Sequence, residues 1–304
     1  MLRSLLILLA LFLGTVFSSY IAVFSYLSPY LIALMLFLPS LKAVTNVSAK
    51  INWQDLLQFF TIILLPTCFG VLIYLGLHLV FKQEDWLMSQ ILMSTSPVAS
   101  GSTVMVEIIG GRVMFSLLTA IASNLSIVLF WPIIFKVFLG LKLSLASIFV
   151  KIAAVSLLPF VLAKIISLNK KATKIFALLF KFRFFAFYLW MLVVLVNIAS
   201  VADFLKNNQQ NDWNQISIMI ALATIFCFIN FWMGGVIGKK FGHAKETSQL
   251  FGQKNTTIAI WVANQFFNPL VAICPIAYLV IQNFYNSWQL YLLHRKKHHT
   301  TSNG

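Results

Sequence analysis

Negative charge is scarce in this sequence: seven Asp and Glu stand against 22 Lys and Arg, and charged residues of both signs make up only 10% of the 304 positions. So few charges exclude the surface of an ordinary soluble domain. Cysteine is scarce too. Cys68, Cys227 and Cys274 each stand alone in an apolar run, which excludes a disulfide framework and a Cys-x-x-Cys site, and all three read as small core residues. No Asp-Asp, Ser-His or His-rich constellation falls inside an apolar run, so an enzyme has no obvious groups to work with. His78, alone near the end of its run, reads as interfacial.

Apolar residues fill the space left by these absences: 60% of the chain is hydrophobic, 29 residues are Phe, and the mean hydropathy is +0.91. The class this implies is an all-α polytopic membrane protein, with the lipid bilayer as its main partner. Ten spans are predicted, at 3–19, 26–42, 55–81, 86–110, 112–137, 143–166, 175–202, 213–237, 246–267 and 270–293. The first resembles a signal-peptide core but lacks a clear cleavage signature, and it is kept as a helix. The weakest break, at Gly140, separates the fifth span from the sixth.

A net charge of +15 would suggest nucleic acid in a soluble protein. Here most basic residues sit in short links between spans, so they read as orientation signals and no nucleic-acid partner is expected. With the amino terminus cytoplasmic, the inside set is Arg3, Lys42, Lys50, Arg112, Lys164, Lys170, Lys171, Lys174, Lys239, Lys240, Lys245, Arg295, Lys296 and Lys297, against Lys82, Lys136, Lys142 and Lys206 outside. The bias puts both termini in the cytoplasm, and a bacterial inner membrane is the expected setting. Lys151 is read as snorkelling outward, and Lys181 and Arg183 as interfacial. Residues 294–304 form a basic cytoplasmic tail.

Five spans in each half, the second half starting from the opposite side, is the arithmetic of an inverted repeat: residues 1–137 form one unit and 138–293 the other. Each half carries one polar interruption. In the first it is Ser96-Pro97-Val98-Ala99-Ser100-Gly101-Ser102-Thr103, where proline removes a donor and small hydroxyls can satisfy what is freed. In the second it is Gly252, Gln253, Lys254 and Asn255. Each polar group at that depth costs about 2.5–3.5 kcal/mol unless satisfied. The fourth and ninth helices are therefore expected to be discontinuous and to cross near the midplane, as in secondary transporters.

These residues resemble the bile acid:sodium symporter family over nearly the whole chain. The resemblance is strongest at Pro97 to Thr103 and on through Gly111-Arg112-Val113-Met114-Phe115-Ser116 to Pro132; at Phe251 to Asn255 with Thr257-Ile258-Ala259; and at Phe267 to Pro275 followed by Gln282-Asn283. It implies ten helices in an inverted repeat, a core of helices 3–5 and 8–10, and a panel of helices 1, 2, 6 and 7. It implies alternating-access symport of an organic anion. No required protein partner and no cofactor are expected, and Na+ or H+ is the expected coupling ion. The family's sodium ligands map onto Ser102, Thr103, Ser116, Ala120, Leu250, Gln253 and Lys254. The shared acidic ligand is thus Leu250, and a side-chain amide has become Lys254. Hard cations need several oxygens, preferably with carboxylate charge. Ser102, Thr103, Ser116 and Gln253 are left as a weak residual sodium site.

An ammonium at position 254 can stand in for the ion. Glu107, one turn beyond Thr103, is the expected partner, as a permanent ion pair or a proton-coupled one. The competing readings are that Lys254 snorkels to the interface and that Glu107 faces cytoplasmic water. Asn197, Asn230 and Asn264 read as helix glue, and Gln282 and Asn283, by the resemblance, as facing the core. Arsenite efflux, which similar proteins perform with a thiolate in the fourth helix, is disfavoured because no cysteine lies between Cys68 and Cys227. A non-transporting receptor is the rival from another class.

Overall fold

Long apolar runs leave the backbone no water to bond with in lipid, so the chain satisfies its own N–H and C=O groups in helices. The computed structural model describes residues 2–45, 52–80, 84–138, 144–169, 183–208 and 212–301. Among them every regular element is helical apart from one isolated β-bridge. In order these are α1 (Leu2–Val16), α2 (Ser18–Ile21), a 3-10 turn (Ala22–Leu27), α3 (Ser28–Thr45), α4 (Trp53–Val80), α5 (Glu84–Ser94), α6 (Gly101–Ile108), α7 (Val113–Val137), α8 (Leu145–Ser167), α9 (Arg183–Asn207), α10 (Trp213–Lys240), α11 (Ala244–Gly252), α12 (Thr256–Phe266), a 3-10 turn (Pro269–Ala272) and α13 (Ile273–Thr301).

Seven helices among the described residues are long and apolar enough to cross a membrane, and the protein is an integral, multi-pass one. Of the other expected spans, the first is α1, at 15 residues, and two are split. The expected fourth span divides into α5 and α6, and the ninth into α11 and α12, so no piece exceeds 11 residues. The start of the expected seventh span, residues 175–182, lies outside the described residues. So do Gly140 and the basic residues Lys50, Lys82, Lys142, Lys170, Lys171, Lys174 and Lys181.

Burial differs sharply between helices. From Thr256 to Ala263 α12 is buried on every face, which marks it as central. Outer helices leave Leu72, Leu79, Leu129, Val150 and Trp232 exposed, which suits lipid rather than water. Cys227 and Cys274 are buried, but Cys68 is exposed on the outer face of α4, which corrects its reading as a core residue. His78 stacks on the ring of Tyr74 one turn away, and Lys151 is exposed near the ring of Phe266.

Hydrogen bonds between helix ends divide the molecule into two poles. At one, the start of α4 meets the α6–α7 turn and the start of α11 through Asp55, Arg112 and Glu246. At the other, Asn268 donates to Asp85 at the start of α5, Tyr74 to the carbonyl of Phe138, and Lys206 to the carbonyl of Thr15. The split helices run between these poles in opposite directions. Gly234 and Gly238 let α10 approach α11 closely; a Cβ on Gly238 would lie 2.6 Å from that of Thr247.

Candidate functional site

Proline sets the first break. Pro97 has no N–H and disfavours helix at Ser96, so α5 ends at Ser94. Met93 O, which an N–H at residue 97 would have bonded, accepts from Ser96 N at 3.2 Å; Leu92 O, left open by that shift, accepts from Ser96 Oγ at 2.7 Å, and Thr95 Oγ1 adds a second bond to Ile91 O at 2.7 Å. The second break follows Gly252, where a Cβ would lie 2.2 Å from the ring of Phe231, so only glycine fits.

The two breaks satisfy each other. Val98 and Lys254 form an antiparallel bridge; Ala99 N donates to Gln253 O at 2.9 Å and Asn255 N to Pro97 O at 2.7 Å. Neighbouring helices close the remaining backbone positions. Ser123 accepts from Val98 N, Asn124 donates to Val98 O, and Tyr278 donates to Gly252 O at 2.7 Å. Gln282 takes both polar groups of residue 254: Lys254 N donates to its Oε1 at 3.0 Å, and its Nε2 donates to Lys254 O at 3.2 Å. Such complete accounting is what a water-poor environment demands.

The side chains named from the sequence distribute as follows. Asn255 donates to Asn124 at 2.8 Å, joining the second break to α7. Gln253 begins an amide chain, donating to Gln249, which donates to Gln289. Ser102 donates to Ala99 O and Ser116 to Thr103 Oγ1, all three hydroxylated residues being buried. Asn283 donates only to Leu279 O in its own helix; its neighbour Gln282 makes the core contact. Asn197 accepts from Ser28 and Asn230 donates to Tyr278.

The pairing of Lys254 with Glu107 is not present. Glu107 is exposed on α6, while Lys254 is only 3% exposed, so neither the pair nor a snorkelling lysine describes the site. The helical spacing that suggested contact ignored the turn of α6, which carries Glu107 to the outer face. Arg112, counted from the sequence as an orientation signal, binds inward. Its guanidinium pairs with Asp55, Gln58 and Glu246, the last at 3.0 Å, and its backbone N donates to Glu246 Oε2 at 2.9 Å.

As a cation site this donor set is poor. Leu250 and Ala120, which the resemblance aligns with sodium ligands, are buried in an apolar cluster with Ile62, Val98 and Phe251. No carboxylate stands among Ser102, Thr103, Ser116 and Gln253, so they offer only neutral oxygens to a hard cation. Beside the crossing a narrow crevice separates α3 and α8 from α6 and α7, lined by Ser40, Ser100, Ala120, Asn124, Ser156 and Phe160 among others. Ser156 Oγ is buried there without a partner.

Sequence reasoning did not single out Ser123, Asn124 or Tyr278, although a signal was present. Ser116, Thr119, Ser123 and Asn124 recur at helical spacing, as do Tyr278 and Gln282, and in an apolar helix a polar face points at something polar. In comparison with known proteins, no family model matches the chain, and no curated protein matches it.

Proposed function

We propose that this protein is a secondary carrier that moves an organic anion by alternating access and does not bind sodium to do so. The observation that carries the reading is the hydrogen-bonded meeting of two interrupted helices of opposite direction, bridged at Val98 and Lys254. Broken helices inside membrane proteins are sustained where they line a binding site, and paired breaks of opposite direction are the signature of inverted-repeat carriers. In this reading ten spans form a 5+5 inverted repeat, residues 1–137 and 138–293, in a bacterial inner membrane with both termini cytoplasmic. Helices 3–5 and 8–10 rock against the panel of helices 1, 2, 6 and 7.

The crevice beside Asn124, at about 10 Å³, has room for a single water, so in this reading it opens further when substrate enters; Asn124 both lines it and holds the two breaks together. Ser156 offers a free hydroxyl on the opposite wall. The lack of a carboxylate, and the buried Leu250, argue against sodium as the coupling ion.

The test is flux into proteoliposomes under imposed sodium and proton gradients, with taurocholate, pantothenate and short carboxylates as candidates. The expected outcome is uptake of at least one of them that is unchanged when N-methylglucamine replaces sodium. Flux of none under either gradient favours a receptor, and flux that requires sodium overturns the sodium-free reading.

A further inference from the structure

Lys254 is buried, only 3% exposed, and among the described residues no acidic side chain pairs with it. Between residues 95 and 103, and between 250 and 257, it is the sole charged residue. Its backbone groups are both taken by Gln282, and no ion pair or hydrogen bond of its ammonium occurs among the described residues. The acids of the chain are engaged elsewhere. Asp55 and Glu246 are held by Arg112, Asp85 by Asn268, and Asp203 by Asn207. Asp212 caps α10, and Glu107 is exposed. Glu84 opens α5, about 15 Å from Ser94 at 1.5 Å per residue.

Helix ends do not supply the missing charge. The C-termini of α5 and α11 and the N-termini of α6 and α12 all meet here, so two partial negative ends face two partial positive ends and offset one another. A lone buried charge costs several kcal/mol, and it is relieved by loss of the proton or by a charge of opposite sign brought into contact.

We propose that Lys254 is the counter-charge for a bound anion, so that the crossing is a site for one singly charged organic oxyanion, a carboxylate or its like. A single ammonium selects a single negative charge, because a divalent anion would leave one charge buried and unpaired. The organic character of the occupant rests on the carrier reading; the charge pairing rests on the geometry alone.

The experiment follows thermal unfolding of the purified full chain in detergent, in sodium-free N-methylglucamine buffer, titrated with acetate, benzoate, taurocholate and chloride, with benzamide as the uncharged control. At least one of the three organic anions raises Tm saturably, benzamide does not, and Lys254→Gln binds that anion roughly 30-fold or more weakly, as expected when one partner of a buried charge pair is removed. Lys254→Arg, which keeps the charge, retains the shift. No shift with any anion, an equal shift in Lys254→Gln, or a shift with chloride alone overturns the proposal. Should Lys254→Gln not fold, benzoate against benzamide on the wild type decides: equal effects overturn it. Anion binding through Lys254 without flux removes the carrier reading and keeps this one, whereas undiminished flux in Lys254→Gln does the reverse.

Discussion

Gln282 and Asn283 are adjacent amides in α13, yet they do unequal work. Gln282 bonds the N–H and the C=O of Lys254 at once, replacing the helical partners that the break removed, whereas Asn283 bonds its own helix. Gln282→Leu leaves the buried N–H of Lys254 unpaired, at about 1–3 kcal/mol, while its C=O keeps the bond donated by Thr256 N. Asn283→Leu disturbs neither, and stays within about 0.5 kcal/mol. Thermal or chemical unfolding of the two variants therefore separates them; equal destabilisation would remove the role given to Gln282. At this scale the sequence was only partly legible. Lys254 stood out because an ammonium in an apolar run is costly wherever it goes. The choice of Gln282 over Asn283 depends on helix phase, and the phase of α13 is set by Tyr278 reaching Gly252, a contact no local pattern encodes.

At the scale of elements, both breaks were readable because their causes are local. Proline cannot donate, a run of hydroxyls can cap the turn before it, and Gly252 followed by amides loosens α11. That the two breaks bond each other was an expectation of symmetry rather than of spacing. The tie at the far end of these helices was not legible. Arg112 counted as one more inside charge, but it binds α4 and α11 together, because Asp55 and Glu246 are buried beside it and need a cation. Arg112→Met is expected to cost up to about 3 kcal/mol, since it strands both carboxylates, while Arg112→Met combined with Asp55→Asn and Glu246→Gln costs less than Arg112→Met alone. Unfolding of the single and triple variants checks this. A triple variant less stable than the single one would mean that the network is incidental surface pairing.

Across the whole molecule, two independent lines of evidence sort the links between helices in the same way. Contacts put the start of α4, the α6–α7 turn and the start of α11 at one pole, and the ends of α1 and α9 with the start of α5 at the other. Basic residues sort them alike: Arg112, Lys239, Lys240 and Lys245 fall at the first pole and Lys206 at the second. By the positive-inside rule we propose the first pole as the cytoplasmic one. Since α4 alone has 28 residues, about 42 Å at 1.5 Å per residue, a helix of this length bridges the hydrocarbon layer and the poles lie on opposite sides of it. Reporter fusions after residues 48 and 171 should then be cytoplasmic, and after residues 83 and 210 external, read by green fluorescent protein fluorescence and alkaline phosphatase activity respectively. Residue 48 follows the second span of one half and residue 210 the second span of the other, so an inverted repeat puts them on opposite sides. Reporters at 48 and 210 on the same side would therefore break the inverted relation and, with it, the argument that the two breaks meet as halves of one carrier.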